Sequence, residues 1–139
     1  MFADASALCA ILNDEVDRPD FLAAILDADE VFVSPIVAWE CVSAISKHHA
    51  IPPGEAAQRF ARFETLAGFG VVGIGRAEQR LAVEAFERFG KGRHPARLNM
   101  GDCFSYACAR SHGLPLLFKG DDFTHTDIAR VSSPGRDPG

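Results

Sequence analysis

Several features that would assign a protein class are missing from this 139-residue sequence. The formal net charge is −5, whereas a generic nucleic-acid-binding protein usually carries a basic excess. No apolar run approaches the roughly 20 residues that span a bilayer, and the N-terminus lacks the basic start and apolar core of a signal peptide. The cysteines form no C-x-x-C pair and do not suit a zinc site; they are Cys9, Cys41, Cys103 and Cys108. We therefore expect a cytoplasmic globular protein with reduced, mostly buried thiols.

What is present fits one folded domain. The hydrophobic fraction is 47% and the charged fraction 24%, which is typical of a globular chain. The length suits a single core. We place the domain at residues 1–131 and expect residues 132–139, with the sequence SSPGRDPG, to be a flexible tail.

Short apolar runs alternate with helical patterns along the chain. Strands are predicted at 2–3, 31–33, 71–74 and 114–118, and helices at 6–12, 19–26, 35–47, 55–66, 77–89 and 100–112. Pro19, Ser34-Pro35 and the cap Asn99 mark helix starts. Strands that alternate with helices indicate right-handed βαβ units. We therefore expect an α/β fold with a mostly parallel sheet of four or five strands.

Acidic residues fall at the carboxyl ends of the predicted strands. Asp4 directly follows the first strand, and Glu40 lies in the second turn of the helix after the second strand. Asp102 is in the first turn of the last helix, and Asp121 and Asp122 directly follow the last strand. Ligands of open α/β sheets bind at this edge. The sequence therefore predicts a site of Asp4, Glu40, Asp102 and Asp121, with Asp122 as the alternate to Asp121.

Each acid also has a purely structural interpretation. Asp102 resembles the acid of a capping box with Asn99, and Asp4 can cap the first helix. The two acids after the last strand can be turn residues. Glu40 resists such an explanation, because apolar residues surround it and a buried acid is costly unless it is paired or binds a metal. Its neighbour Trp39 is expected to pack in the core or at an interface.

A divalent cation would resolve the repulsion among clustered carboxylates. Without a counter-ion some of them would stay protonated. Ligands that are all oxygen favour Mg²⁺ or Mn²⁺ over Zn²⁺. Mg²⁺ keeps several waters, one of which can attack a phosphodiester. Other phosphoryl-transfer domains fit less well: Asp4-Ala5-Ser6 lacks the Asp-x-Asp of haloacid-dehalogenase phosphatases, and no Asp follows the third strand as in receiver domains.

These residues stand in an order that resembles the PIN-domain family, and within it the VapC toxins of bacterial toxin–antitoxin pairs. The resemblance covers about residues 1–131. The start MFADASAL resembles the family's apolar–Asp–x–Ser/Thr–Ala–Leu pattern, and LLFKGDDF from Leu116 resembles its last-strand motif. The segment KGRHPARLNMGDC from Lys91 closely resembles one VapC subgroup. One departure is Lys119, where many PIN domains have Thr or Ser, and another is the unspaced pair Asp121-Asp122.

The resemblance implies a three-layer α/β/α sandwich and endoribonuclease activity that requires Mg²⁺, with Mn²⁺ as a substitute. It also implies a homodimer and inhibition by a cognate VapB-type antitoxin. Asp4, Glu40, Asp102 and Asp121 would be the catalytic acids that hold the metal. The alternative is a non-catalytic PIN-like module that binds RNA or a partner, and the complete set of acids argues against it.

Each of the other polar residues near the acids has two possible interpretations, one functional and one structural. Lys91, Arg93 and Arg97 form a basic loop that leads into the third acid, and they either contact RNA phosphates or belong to a solvated surface. Ser6 either orients the first acid or only begins a helix. Asn99 either supports the site or only caps a helix.

Overall fold

The computed structural model describes residues 1–131, and the predicted tail at 132–139 lies outside the described residues. The strands are β1 (Phe2–Ala3), β2 (Phe32–Val33), β3 (Gly70–Val71) and β4 (Leu116–Leu117). The helices are α1 (Ala5–Leu12), α2 (Arg18–Asp27), α3 (Pro35–His49), α4 (Pro53–Ala67), α5 (Arg76–Phe89) and α6 (Met100–Ser111). A short 3₁₀ helix, Asp122–His125, follows β4.

The four strands form one parallel sheet in the order β3-β2-β1-β4. Phe2 of β1 lies opposite Phe32 of β2 on one side and Leu116 of β4 on the other. Beyond β4, Leu116 also forms an isolated parallel bridge with Arg130. The predicted mostly parallel sheet is confirmed. Because the strands run in the same direction, the segments that follow them emerge at one edge.

Helices cover both faces of this sheet. Successive residues of a strand point to opposite faces, and both Phe2 and Ala3 are fully buried. Leu116 is likewise fully buried and Leu117 nearly so. A strand buried on both faces is typical of a doubly covered α/β fold. The predicted three-layer α/β/α fold class is therefore confirmed.

Local capping fixes where the helices that carry acids begin. The Ser34 hydroxyl accepts a hydrogen bond from the Val37 N–H at 3.2 Å, and Pro35 occupies the first turn of α3. These are favoured start signals. Since α3 begins directly after β2, its second turn, with Glu40, stays near the carboxyl edge of the sheet.

Sequence-based expectations differ from the structure at three places. The last strand covers Leu116–Leu117 rather than 114–118. The third strand covers Gly70–Val71 rather than 71–74, because its partner β2 ends at Val33, before Pro35 begins the helix. Val72 donates the last hydrogen bond across this pair, to the Val33 carbonyl at 2.9 Å. Trp39 is 69% exposed, so it does not pack in the core of this chain, and the alternative that it packs at an interface stays a prediction. The buried face of α3 carries Val37, Cys41 and Ile45 instead.

The core contains the strands and the inner faces of the helices. Its fully buried side chains include Phe2, Leu8, Ile45 and Tyr106. The cysteines are unpaired, and Cys41, Cys103 and Cys108 are buried as small apolar residues. Within residues 1–131, no helix combines the length and the apolar character that crossing a membrane requires.

Candidate active site

Asp4 caps α1 at the point where β1 ends. It is 4% exposed, and its Oδ2 accepts a hydrogen bond from the Ser6 N–H at 3.0 Å. Its Oδ1 accepts a second hydrogen bond from the Ser105 hydroxyl at 2.5 Å. The capping interpretation is correct as far as it goes. Helix capping does not explain the contact between Asp4 and Ser105, because Ser105 is 101 residues away in sequence and belongs to a different helix.

Glu40 projects from the second turn of α3 towards α6. Among the described residues its Oε1 is buried and has no hydrogen-bond partner. Burial, together with the negative charges of Asp4 and Asp102, raises the pKa of Glu40 to about 7. No cation of the part of the chain that the structure describes offsets this rise.

Gly101 makes room for this carboxylate. A Cβ placed on Gly101 would lie 2.7 Å from Glu40 Cδ and 2.8 Å from Glu40 Oε1, closer than side chains pack. Any larger residue would therefore displace the Glu40 carboxylate. The close approach brings Glu40 beside the first turn of α6, where Asp102 lies.

Asp102 forms a reciprocal capping box with Asn99. The Asn99 N–H donates to Asp102 Oδ2 at 3.1 Å, and the Asp102 N–H donates to Asn99 Oδ1 at 2.9 Å. Burial raises the pKa of Asp102, the hydrogen bond from the Asn99 backbone opposes that rise, and the charges of Asp4 and Asp122 add to it. The resulting pKa is about 6. The cap thus fixes the side chain in a setting that disfavours its charge.

Asp121 and Asp122 leave β4 at the same edge, and both are exposed. The Asp121 carbonyl accepts a hydrogen bond from the Thr124 N–H at 3.0 Å. Asp122 opens the 3₁₀ helix, and its charge is one of those that raise the pKa of Asp102. The choice of Asp121 as the fourth acid, with Asp122 as its alternate, stays a prediction.

We call Asp4, Glu40 and Asp102 the acid cluster. Their charges act on one another, as the raised pKa values of Glu40 and Asp102 show. Among residues 1–131, no group of three or more His, Cys, Asp or Glu side chains forms a ready-made metal-binding cluster. Mg²⁺ does not need one, because it usually keeps several waters and takes one or two carboxylates. The unpartnered Glu40 oxygen and the all-carboxylate chemistry of the cluster fit such an ion.

Ser105 is the site residue that the sequence analysis missed. It is 1% exposed and donates to Asp4 from the second turn of α6. The spacing of three residues between Asp102 and Ser105 places both side chains on one face of the helix. A buried hydroxyl at that spacing from a suspected ligand was the available signal.

Ser6 and Asn99 both contact acids. The Ser6 backbone N–H holds Asp4, while its hydroxyl accepts a hydrogen bond from the Lys119 N–H at 3.0 Å. Asn99 holds Asp102 through the capping box. Both residues therefore link the acids to the backbone around them, although neither contact by itself establishes a catalytic role.

The basic loop is an anchored turn between α5 and α6. Gly90 and Leu98 form a parallel bridge that closes it, and Leu98 is fully buried. Lys91, Arg93 and Arg97 are exposed on its outside. The Arg93 guanidinium lies 5.5 Å from the centre of the Phe86 ring, a cation–π arrangement. The loop therefore presents its cations from a fixed base.

A cavity of about 500 Å³ lies at the other edge of the sheet. Its lining includes Met1, Leu114 and Pro115, which precede β1 and β4. The acid cluster follows the carboxyl ends of the strands instead. This cavity is therefore not the site assembled by the acids.

Comparison with known proteins identifies the family to which the sequence is similar. The sequence matches the PIN domain family over residues 1–129. It is 40% identical to a VapC ribonuclease of Mycobacterium bovis and to Ribonuclease VapC30 of Mycobacterium tuberculosis, over 96% of this chain and 100% of each relative. A VapC ribonuclease of Rhizobium meliloti is 37% identical, over 91% of this chain and 98% of that protein.

A solved structure shows a similar fold. Mycobacterium tuberculosis VapC20, described as a toxin that cleaves the sarcin-ricin loop, has a TM-score of 0.76 against this chain. The match covers 96% of this chain and 98% of that one, at 18% sequence identity. At this identity the similarity concerns the fold.

Proposed function

Because the chain belongs to the PIN-domain family and, within it, to the VapC ribonucleases, we propose that it is a metal-dependent endoribonuclease that acts as the toxin of a VapBC pair. The family predicted from the sequence is thereby confirmed. The observation that carries the metal-dependent mechanism is the buried Glu40 oxygen, which has no hydrogen-bond partner among residues 1–131 and lies beside two further carboxylates. A structural acid would have a cation or donors there.

Asp4, Glu40 and Asp102 would hold Mg²⁺, or Mn²⁺ as a substitute, together with Asp121 or Asp122. When bound, such an ion polarises a phosphodiester and lowers the pKa of a water, which is the chemistry that hydrolysis of RNA requires. The side chains around the acids fix their directions: Ser105 and the Ser6 N–H hold the two oxygens of Asp4. Asn99 holds Asp102.

Protons compete with the ion for Glu40. With a pKa of about 7, Glu40 is about half protonated in neutral solution when no cation is bound. Binding must release that proton, so the affinity for metal depends on pH. The site is consequently an acceptor for a cation only once Glu40 is ionised.

RNA would approach along the basic loop. Lys91, Arg93 and Arg97 offer charge to phosphates, a contact that positions a strand without reading its sequence. We propose that a VapB-type antitoxin blocks the same edge with a basic side chain that takes the place of the metal's charge. We further propose that the protein is a homodimer and works in the cytoplasm, where its RNA substrate is found.

The test of the nuclease is RNA cleavage by purified protein with Mg²⁺, with Mn²⁺ and with excess EDTA. We expect cleavage with either ion and none with EDTA, and restored cleavage when Mg²⁺ is added back. Cleavage that persists in EDTA after extensive dialysis would refute the mechanism.

The toxin assignment has a separate test. Co-expression with the short open reading frame next to the gene should yield a complex by size-exclusion chromatography, and the complex should not cleave RNA. Failure of the two proteins to associate would remove the toxin–antitoxin assignment and leave the nuclease untouched.

A further inference from the structure

Lys119 joins two loops that are far apart in sequence. Its Nζ donates to Glu15 Oε1 at 2.6 Å and to Asp17 Oδ1 at 3.1 Å, across separations of 104 and 102 residues. Glu15 and Asp17 belong to the connection between α1 and α2. Both ion pairs are partly buried, so solvent screens them less than it screens a fully exposed pair.

The backbone of Lys119 makes a second attachment. Its N–H donates to Ser6 Oγ at 3.0 Å, and the Ser6 N–H in turn donates to Asp4 Oδ2 at 3.0 Å. The same residue is therefore tied by its side chain to the α1–α2 connection and by its backbone to the helix that Asp4 caps. The chain of contacts ends at a member of the acid cluster.

The segment that follows Lys119 carries the last two acids. Gly120 has a φ of +95°, a conformation that favours glycine, and the chain then turns through Asp121 into the 3₁₀ helix at Asp122. Both acids are exposed. The hydrogen bonds of Lys119 thus hold the chain directly before the segment that carries these two acids.

We propose that Lys119 is a positioning residue, a clamp between Glu15 and Asp17 that holds the Gly120–Asp122 segment in place so that Asp122 faces Asp102. The inference rests on the proposed metal-dependent function, and it adds a role for three residues outside the acid cluster. Two carboxylates hold the ammonium of Lys119 by direct hydrogen bonds. They thereby direct this cation to the α1–α2 connection instead of to the acids, where it would compete with a metal ion.

The test compares three alterations of the clamp in the full-length protein. Lys119→Met removes the charge at similar length, Lys119→Arg keeps it, and the double variant Glu15→Gln with Asp17→Asn removes both partners. Arg59→Met is the matched control, since Arg59 and Glu55 form an ion pair at 3.3 Å on α4. The measurements are Mn²⁺ affinity by calorimetry, the Mn²⁺ dependence of cleavage, and the melting temperature.

Loss of the clamp should weaken Mn²⁺ binding by about tenfold, the range seen when residues that orient metal ligands are removed. Cleavage by Lys119→Met should recover most of its rate at high Mn²⁺, because the acids themselves are intact. The double variant should behave like Lys119→Met, Lys119→Arg should restore affinity, and Arg59→Met should match the wild type.

Two results would overturn the inference, and they differ in what else they overturn. A Lys119→Met protein that binds Mn²⁺ as the wild type does, whatever its melting temperature, would make the clamp merely structural and leave the nuclease in place. A wild type that neither binds Mn²⁺ nor cleaves RNA would refute the proposed function and the clamp's role with it.

Discussion

Helix α6 contributes to two carboxylate sites that differ in how far the chain compensates their negative charge. Its first turns carry Asp102 and Ser105 of the active site. Its later turns carry Tyr106 and Arg110, which donate to Asp127 at 2.6 and 3.1 Å. Arg88 of α5 adds a third contact to Asp127 at 3.2 Å, and we call this group the Asp127 junction.

The pKa values follow that difference. Burial would raise the pKa of Asp127, but the hydrogen bonds from Tyr106 and Arg110 and the charge of Arg88 outweigh it, and the pKa lies below its ordinary value. In the acid cluster, burial and the charges of Asp4 and Asp102 raise the pKa of Glu40 to about 7, and no cation of residues 1–131 opposes the rise. The chain supplies Asp127 with three donors. Among the described residues, Glu40 Oε1 of the acid cluster has none.

The largest expected effect separates the two sites by chemistry. Asp102→Asn should reduce RNA cleavage about 100-fold or more, since even residues one step removed from a metal can be worth that much. Asp127→Asn should leave cleavage nearly unchanged under conditions where the protein is folded. Rates at saturating Mg²⁺ test both, with circular dichroism as the control for folding. Equal losses in the two variants would erase the distinction.

Metal affinity should depend on pH through the acid cluster. Glu40 must lose a proton to accept a cation, and its pKa is about 7. Mn²⁺ affinity should therefore fall about tenfold between pH 8 and pH 6. Calorimetry at several pH values measures this fall. In Glu40→Gln the affinity is weaker throughout, and the part of the pH dependence that Glu40 causes should vanish; a profile of unchanged steepness would contradict the assignment.

Stability without metal should change in opposite directions at the two sites. Between pH 4.5 and about 7, Glu40 is ionised in the unfolded chain but stays largely protonated in the folded protein. This difference lowers the free energy of unfolding as pH rises, and the penalty reaches its full size above pH 7. Glu40→Gln should remove a penalty on the order of 1 kcal/mol at pH 8, after allowance for solvent screening. Asp127→Asn should instead cost about 1 kcal/mol.

Urea unfolding in EDTA measures both changes. The stabilisation in Glu40→Gln should be small at pH 4.5, where the carboxyl is protonated in the folded protein and only half ionised in the unfolded chain. The pKa of Asp127 is lowered, so this residue stabilises the fold at pH values above its ordinary pKa of 3.8. That contribution is lost as the pH falls further. A Glu40→Gln protein less stable than the wild type at pH 8 would show that the acid is already compensated within the chain.

The smallest effect concerns the basic loop. Arg93→Ala and Arg97→Ala should each reduce the slope of log affinity against log salt by roughly 0.7 if each arginine contacts one phosphate of single-stranded RNA. The titrations use proteins that also carry Asp102→Asn, so that the RNA is bound but not cleaved. A slope that stays the same in both variants would mean that the loop is only a solvated surface.

Sequence patterns predicted the parts of this molecule that are determined locally. Asp4 follows a strand and caps a helix, and Asn99 opens α6, because capping depends on residues within one turn. The parallel sheet followed from the alternation of elements. The length of β3 did not, since it depends on where its partner β2 stops.

The contacts between distant segments could not be predicted from the sequence. Ser105 reaches Asp4 only because α6 packs beside the start of α1, and no local pattern encodes that approach. The position of Asp122 depends on the turn at Gly120 and on the attachments of Lys119. For Trp39 the sequence left core and interface packing open, and only the structure shows that it lies outside the core, on the uncovered face of α3.

Gly101 has a consequence for genetics. It carries no functional group, yet every substitution places at least a methyl where the Glu40 carboxylate lies. The end of a glutamate side chain can move aside, so the altered protein should fold and still lack its second acid. Among colonies that survive forced expression of the gene, Gly101 alleles should therefore recur beside those of Asp4 and Asp102.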